Sequence, residues 1–371
     1  MGEFRFYPQN TVWEITFACN MRCLHCGTAA GVVRPKELTT DEAFGLIDEL
    51  AELGCEMITL SGGEPLLRRD WRELAKRSKQ RGMKTYLISN GYVITPQIIE
   101  DFKEIGFDNL GVSFDGTEKT HNYIRQRPDS FQRAFNAMKM MSEADLRFCA
   151  VTQVSNINLG EMDQIRSLLI EAGCNLWRVQ MTTDTGRMSK DLVLSLDNYP
   201  KFIDKILEFK KGEQTITVDV GENIGYYGCK GSQLLDGMPY LGCYAGTRVL
   251  GIESDGKIKG CLSMPEEFVE GNIRDKSLTE IWNNPDGFAY NRQFTRETAS
   301  GACNSCRYLP LCRGGCTTTS MSASGERANN PYCMYQMEKK MGVQPVDSEV
   351  ITNLLNRMVE EEAKHDSKQG E

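Results

Sequence analysis

The chain has 371 residues, 40% of them hydrophobic and 25% charged, with a formal net charge of −8. That length allows one large domain with a smaller one beside it, and the acidic balance argues against a nucleic-acid partner, which would call for a basic stripe. No apolar run reaches the length of a membrane span and the first ten residues lack a basic-then-apolar export signal, so a cytoplasmic protein without a membrane partner is expected.

From Thr11 to about Gln180 short apolar runs alternate with amphipathic stretches. Thr11–Phe17 predicts a strand that leads into Cys19, Cys23 and Cys26. Thr40–Leu53 predicts a helix, with Ala43, Leu46, Ile47 and Leu50 at helical spacing and Thr39 or Thr40 placed to cap it. A strand over Met57–Leu60 runs into Ser61-Gly62-Gly63-Glu64-Pro65, and a helix follows over Asp70–Gln80. The strand Lys84–Ile88 ends at Ser89-Asn90-Gly91 and is followed by a helix over Pro96–Ile105. Next come a strand over Asn109–Phe114, ending at Asp115-Gly116, and a helix over Phe131–Ser142. The strands Phe148–Val154 and Leu176–Gln180 flank a last helix over Leu159–Ala172. Six strand–helix units predict an α/β fold with a parallel sheet, and in a barrel-like sheet active sites are built at the edge just after the strands. Beyond Lys211 the alternation fades. Ile252–Ile258 reads as a hairpin turning at Asp255-Gly256, and the cysteine-rich loops after it bury too little to fold without metal. Ser348–Glu371 reads as a polar terminal helix that frays into a charged tail. The expected divisions are 1–215, 216–347 and 348–371.

Fourteen cysteines in a reducing compartment point to metal ligation rather than disulfides. Ten of them form two patterns. Cys19, Cys23 and Cys26 share one loop, where three thiolates can hold three irons of a four-iron cluster and leave the fourth open. A zinc ribbon would need a second cysteine doublet, and none lies nearby. The other pattern is Cys243, Cys261, Cys303, Cys306, Cys312, Cys316 and Cys333, soft ligands suited to zinc or iron–sulfur chemistry. In isolation Cys303/Cys306 with Cys312/Cys316 also reads as a zinc ribbon. Cys55, Cys149 and Cys174 lie in or beside predicted strands and helix ends and read as small core residues.

The C-x3-C-x2-C loop, with His25 before its last cysteine, resembles the signature of the radical S-adenosylmethionine (SAM) enzymes. Gly62-Gly63-Glu64 after the second strand resembles that family's GGE motif, and Gly111-Val112-Ser113-Phe114-Asp115-Gly116 its ribose- and carboxylate-contacting strand. The resemblance implies a partial (β/α)6 TIM-type barrel whose three cysteines hold a 4Fe–4S cluster that binds SAM through its open iron. It further implies SAM contacts from Gly62, Gly63, Glu64, Ser113 and Asp115, with Asn90 and Gln180 as weaker matches. Glycines let a backbone approach a ligand, and a carboxylate pairs with an ammonium. An electron, from flavodoxin or ferredoxin, would split SAM and yield a 5′-deoxyadenosyl radical that takes a substrate hydrogen. His25 is expected to pack beside the cluster rather than act as an acid or base.

The seven-cysteine pattern resembles the SPASM domain, which implies two auxiliary iron–sulfur clusters, taken as 4Fe–4S. By that resemblance Cys243, Cys261 and Cys316 serve one, and Cys303, Cys306, Cys312 and Cys333 the other. The first set is one thiolate short. Cys229 is the candidate fourth ligand; a free Cys229 would leave an iron open to water or a substrate thiolate. Gly27–Gly31 and Arg34–Leu38 are similar to peptide maturases of the mycofactocin-maturase and PqqE-like group. That similarity implies a ribosomally made peptide substrate and an oxidative modification or cross-link. The alternative is a small molecule, a tetrapyrrole side chain or a sugar. A plain electron carrier has no need of an open three-cysteine site. Leu262 follows Cys261 where anaerobic sulfatase-maturing enzymes have an aspartate, which disfavours that reaction. About eighteen residues precede Cys19, too few for a fused peptide-recognition domain, so a leader peptide would need a separate recognition protein or the barrel's own surface. Glu222, Asp219, Glu253 and Arg187 are charges available as a base or carboxylate contact, each equally readable as structural, and no catalytic residue stands out. Tyr226 and Tyr227 read as channel lining or as core.

Overall fold

Strand formation follows the side-chain period of two. The computed structural model describes residues 6–212, 215–221 and 223–357. Its elements begin with β1 (Asn10–Thr16), α1 (Thr40–Glu52), β2 (Met57–Gly62), α2 (Trp71–Gln80), β3 (Lys84–Ser89) and α3 (Pro96–Ile105). There follow β4 (Asn109–Ser113), α4 (Glu118–Arg125), α5 (Ser130–Glu143), β5 (Phe148–Val154), α6 (Met162–Glu171) and β6 (Leu176–Met181). After these come α7 (Tyr199–Lys211), β7 (Thr217–Val220), α8 (Cys229–Leu234), β8 (Val249–Ile252), β9 (Lys257–Lys259) and β10 (Val269–Asn272). The expected α/β architecture with a parallel sheet is present, and β1 to β6 pair in parallel, in chain order.

One face of the sheet is an apolar row. Ile252, Trp13, Leu60, Leu87, Leu110 and Phe148 meet in register across β8 and β1 to β5, and all are buried. Burying side chains of this size contributes about 1.5–3 kcal/mol each. The alternate positions are more polar. Ser113, Val151 and Arg178 form one cross-strand row and Gln153 and Gln180 another, all half-buried. A ligand held by the sheet therefore meets polar groups on this face.

The helix boundaries follow local chemistry. Thr39 caps α1 through a capping box with Glu42. At α3, Thr95 caps, Pro96 occupies the first turn and Gly106 closes in the left-handed region. Leu159–Glu161, expected as the start of a helix, is a separate 3-10 turn before α6. Cys55, Cys149 and Cys174 are buried, as expected.

Several features lie outside the sequence expectation, α7 and β7 among them. Helix α4 intervenes between β4 and α5. The sheet also extends to ten strands: β7 adds to it beyond β6, and at the other side β8 pairs in parallel with the free edge of β1 and turns through Gly256 (φ +89°) into antiparallel β9 and β10. Packing accordingly divides the chain elsewhere than motif content does. One compact unit is Met1–Val193, Thr215–Asp219 and Tyr244–Gln293; the other is Leu194–Gln214, Val220–Cys243 and Phe294–Glu371. The cuts at 215 and 347 remain a proposal drawn on motifs.

The second unit has a core cluster rich in tyrosine. Tyr226, Tyr227, Tyr240, Tyr308 and Tyr335 pack with Leu311, Cys312, Ile351 and Leu355. Tyr227 stacks on Tyr308 at 4.4 Å, and Tyr308 meets Tyr335 edge-on at 4.7 Å. Tyr226 and Tyr227 are each 1% exposed, which settles them as core. Residues 349–357 are helical, and the rest of the expected charged tail lies outside the described residues. Among the described residues no helix is long and apolar enough to cross a membrane.

Because β8 covers the edge of β1, a chain ending at residue 215 will expose unpaired backbone on a central strand. Expressed alone, 1–215 will run as aggregate in size-exclusion chromatography, whereas the full chain will elute as a discrete species.

Candidate functional site

The cysteine loop leaves β1 at Phe17 and is tied back to its own root. Cys19 N donates to Gly31 O at 3.0 Å and Gly31 N to Phe17 O at 2.9 Å. Glu37 accepts from Phe17 N and from the Thr16 hydroxyl, while Arg34 pairs with buried Glu14 and with Glu253. Arg187, one of the four charges offered as a base or substrate-carboxylate contact, ties down the loop: its side chain donates to Cys23 O and Ala30 O, and its amide to Cys26 O. Asp219 pairs with Arg178 and Glu253 with Lys259, so these too are engaged in ion pairs. Glu222 lies outside the described residues.

The Gly62-Gly63-Glu64 turn lies against this loop. Gly63 N donates to Thr16 O and Glu64 N to Ala18 O, both at 2.8 Å. A Cβ on Gly62 would stand 2.4 Å from Thr16 O, and one on Gly63 2.2 Å from Ala18 O. The glycines are therefore required by the contact of two backbones, a reason distinct from the ligand approach expected of them.

Glu64 is fully buried. Its carboxylate accepts from Leu66 N, from the Ser89 hydroxyl at 2.9 Å and from Asn90 N at 2.8 Å. Burial pushes its carboxyl up to about 7 despite these donors. Asn90 Nδ2 donates to Asn20 Oδ1 at 2.8 Å, joining the end of β3 to the cysteine loop. Ser113 ends β4 half-buried, and Gln180 Oε1 accepts from Gln153 Nε2 at 2.6 Å.

Asp115 is fully buried and already engaged. Its Oδ2 lies 3.1 Å from His25 Nε2 and 2.5 Å from Arg125 Nη2, and its Oδ1 accepts from Gln153 N at 3.0 Å. Burial opposes its charge, but Arg125 and His25 more than offset that and hold the carboxyl well below the ordinary range. His25 is thus anchored through its ring to Asp115, in keeping with a packing role. Arg125 and His121, both on α4, were missed from the sequence. His121 Nδ1 accepts from Asp115 N at 3.1 Å, and burial drops its pKa to about 3, so it is neutral.

Three soft donors on one loop suit a cluster with an open iron. Burial raises the Cys23 thiol and pushes Cys19 up to about 11, so metal binding must displace their protons. Asn20 Nδ2, His25 Nδ1 and Arg125 Nε are buried beside these cysteines without a protein hydrogen-bond partner. Such orphaned groups in a native core call for a bound group. Among the described residues no three His, Cys, Asp or Glu side chains close on a single ion; a cluster does not need that, since each thiolate takes a different iron. The residues fit an iron–sulfur cluster.

In the second unit Cys303, Cys306, Cys312 and Cys333 come together. Cys312 and Cys333 each feel the other three or two of these thiols, and burial drives Cys333 up to about 12. Cys316 lies at Tyr226, whose hydroxyl accepts from Cys316 N at 3.1 Å, and Cys243 follows Gly242, which packs on Arg313. Cys229 opens α8, with its amide on Glu338 and its thiol donating to Gln344 O at 3.4 Å. Cys261 follows β9 in the sheet unit, its backbone packed on Gly251 of β8.

Residues 13–169 match the model of the radical SAM superfamily, and 243–307 that of the SPASM iron–sulfur cluster-binding domain. The chain is 33% identical to an AdoMet-dependent heme synthase of Methanosarcina barkeri, over 90% of this chain and 98% of that protein. It is 28% identical to the mycofactocin maturase MftC of Mycolicibacterium smegmatis, over 83% of this chain and 78% of that one. Its fold matches the crystal structure of SuiB from Streptococcus suis bound to S-adenosylmethionine with a TM-score of 0.69 at 18% identity, covering 88% of this chain and 76% of that chain.

The clash at Gly63 gives a direct check on the cysteine loop. A Gly63→Ala chain will displace Ala18 and lose the first cluster while keeping the second unit's iron. Iron and sulfide analysis of the reconstituted protein will read that loss against wild type.

Proposed function

The chain belongs to the radical SAM superfamily and carries a SPASM iron–sulfur domain, and we propose that it takes a hydrogen atom from a side chain of a tetrapyrrole. Its enzymatic class follows from the family; the substrate is our reading. The observation that carries it is 33% identity spanning 98% of an AdoMet-dependent heme synthase, against 78% coverage of the mycofactocin maturase.

On this reading Cys19, Cys23 and Cys26 hold a 4Fe–4S cluster, with Gly62, Gly63, Glu64, Asn90, Ser113 and Gln180 toward SAM. When bound, the cluster and SAM supply the one-electron cleavage that makes a carbon radical. The chain's own part is binding and orientation. Glu64 is buried and fixed by Ser89 and Asn90, and with its pKa near 7 it gives up a proton readily in exchange for a cationic amine. Asp115 serves by holding His25 and Arg125 in place. Cys303, Cys306, Cys312 and Cys333 hold one auxiliary cluster, and Cys243, Cys261 and Cys316 another, with Cys229 as its fourth ligand. For this Cys229 must exchange Gln344 O for iron. The electron comes from flavodoxin or ferredoxin, and the cysteine usage favours a cytoplasmic setting.

A second reading, a ribosomally made peptide as substrate, with a separate leader-recognition protein, is favoured by the identity to the mycofactocin maturase and by the Gly27–Gly31 stretch.

Reconstituted protein given SAM, reductant and iron-coproporphyrin III, the tetrapyrrole for which a 28% identical Methanosarcina barkeri relative is named, will form 5′-deoxyadenosine about tenfold faster than without the tetrapyrrole, with a mass change in the tetrapyrrole by mass spectrometry. Stimulation only by a peptide encoded beside the gene will establish the second reading instead, and no 5′-deoxyadenosine under any condition will defeat both. A Cys229→Ala chain will bind less iron than wild type; unchanged iron and sulfide will show that Cys229 is not a ligand.

A further inference from the structure

Helix α4 contributes one permanently charged side chain to the cysteine loop. Arg125 is 7% exposed. Its Nη1 donates to Cys23 Sγ at 3.8 Å, its Nη2 pairs with Asp115 Oδ2 at 2.5 Å, and its Nε is buried without a partner. The same helix is fastened to the loop independently, because Leu24 N donates to Ile124 O at 2.8 Å. Anchoring of the loop therefore does not depend on the guanidinium, whose placement needs another reason.

We propose that Arg125 sets the reduction potential of the cluster held by Cys19, Cys23 and Cys26, donating to the Cys23 sulfur with Asp115 fixing its direction. This rests on the radical SAM reading of the site. Reduction puts an extra negative charge on a thiolate-ligated cluster, and hydrogen bonds to the sulfurs are among the terms that set the potential of such clusters. A buried cationic donor stabilises the reduced form more than the oxidised one and raises the potential. Arginine suits the task because it does not lose its charge and its planar fork addresses two acceptors at once. The Arg125–Asp115 pair is a buried dipole whose positive end faces Cys23. Each half then acts on the cluster with its own sign: Arg125 raises the potential and Asp115 moderates it.

The test is a reductive titration of the reconstituted full-length protein, following by electron paramagnetic resonance the reduced-cluster signal that SAM perturbs. Arg125→Met will lower the midpoint, cutting the reduced-to-oxidised ratio at the wild-type midpoint about tenfold, or about 59 mV for one electron. Asp115→Asn will raise it. Arg125→Lys, which keeps the charge but not the fork, will fall between wild type and Arg125→Met, and it takes the place of the methionine variant if that chain loads no cluster. Unmoved potentials, or shifts of one sign at both positions, overturn the proposal, since a merely structural pair has no reason to give opposite signs. Absence of any SAM-perturbed signal in the wild type would instead defeat the reading of the site.

Discussion

Two stretches of backbone touch here with no room for a Cβ between them, and the site is arranged around that contact. Gly62 and Gly63 end β2 directly against Thr16–Ala18, the root of the cysteine loop. The contact supplies two hydrogen bonds and sets where Glu64 begins. A second approach of the same kind occurs at Gly186, where a Cβ would meet Cys26 O at 2.2 Å. A loop without regular structure is thus gripped at both ends of its cysteine triplet by segments that follow strands. Its precision comes from the sheet.

Around the loop lie buried charged groups. Glu14, Glu64, Asp115 and Arg125 are all less than a tenth exposed, and each is compensated by ion pairs or backbone donors. Such pairs add little net stability, since desolvation consumes most of the attraction, but leaving one half unpaired is costly. That asymmetry favours a single arrangement of the loop over alternatives that would strand a charge. It also separates two carboxylates with the same degree of burial. Glu64, met mainly by neutral donors, sits near neutrality on its titration, while Asp115, met by a guanidinium and an imidazole, stays ionised.

Much of this was legible in the amino-acid order because local rules and tertiary packing agree. The six strands show in their periodicity, α1 and α3 in their caps, and the cysteine triplet and Gly-Gly-Glu in their motifs. Helix α4 escaped notice since Glu118–Arg125 offers almost no apolar face; its start at Thr117-Glu118 and the basic residue in its last turn were the available signals. With it went Arg125 and His121. The extension of the sheet was invisible for another reason: the pairing of β1 with β8 is a long-range choice that no local pattern encodes. The two glycines were found but credited to a ligand, because a backbone neighbour cannot be read from one strand. In the second unit, tyrosines make up much of one core cluster and leave little apolar periodicity there, whereas α7, with Tyr199, Phe202, Ile203, Ile206 and Leu207 buried at helical spacing, carried a readable signal that was missed.

The pairing of β1 with β8 also orders events in time. Asn10 stands in register with Val249 and its N–H donates to Arg248 O at 3.0 Å, so the first strand synthesised takes one of its two neighbours only when residue 249 and its surroundings have left the ribosome. At ordinary elongation rates that is a wait of roughly 10–50 s. For nearly all of it the cysteine loop is already made, with its Gly62–Gly63 clamp available early and its Gly186 clamp only late, while one flank of its parent strand stays bare. The growing chain is therefore most exposed to mispairing at the bare edge of β1 before residue 249 is made.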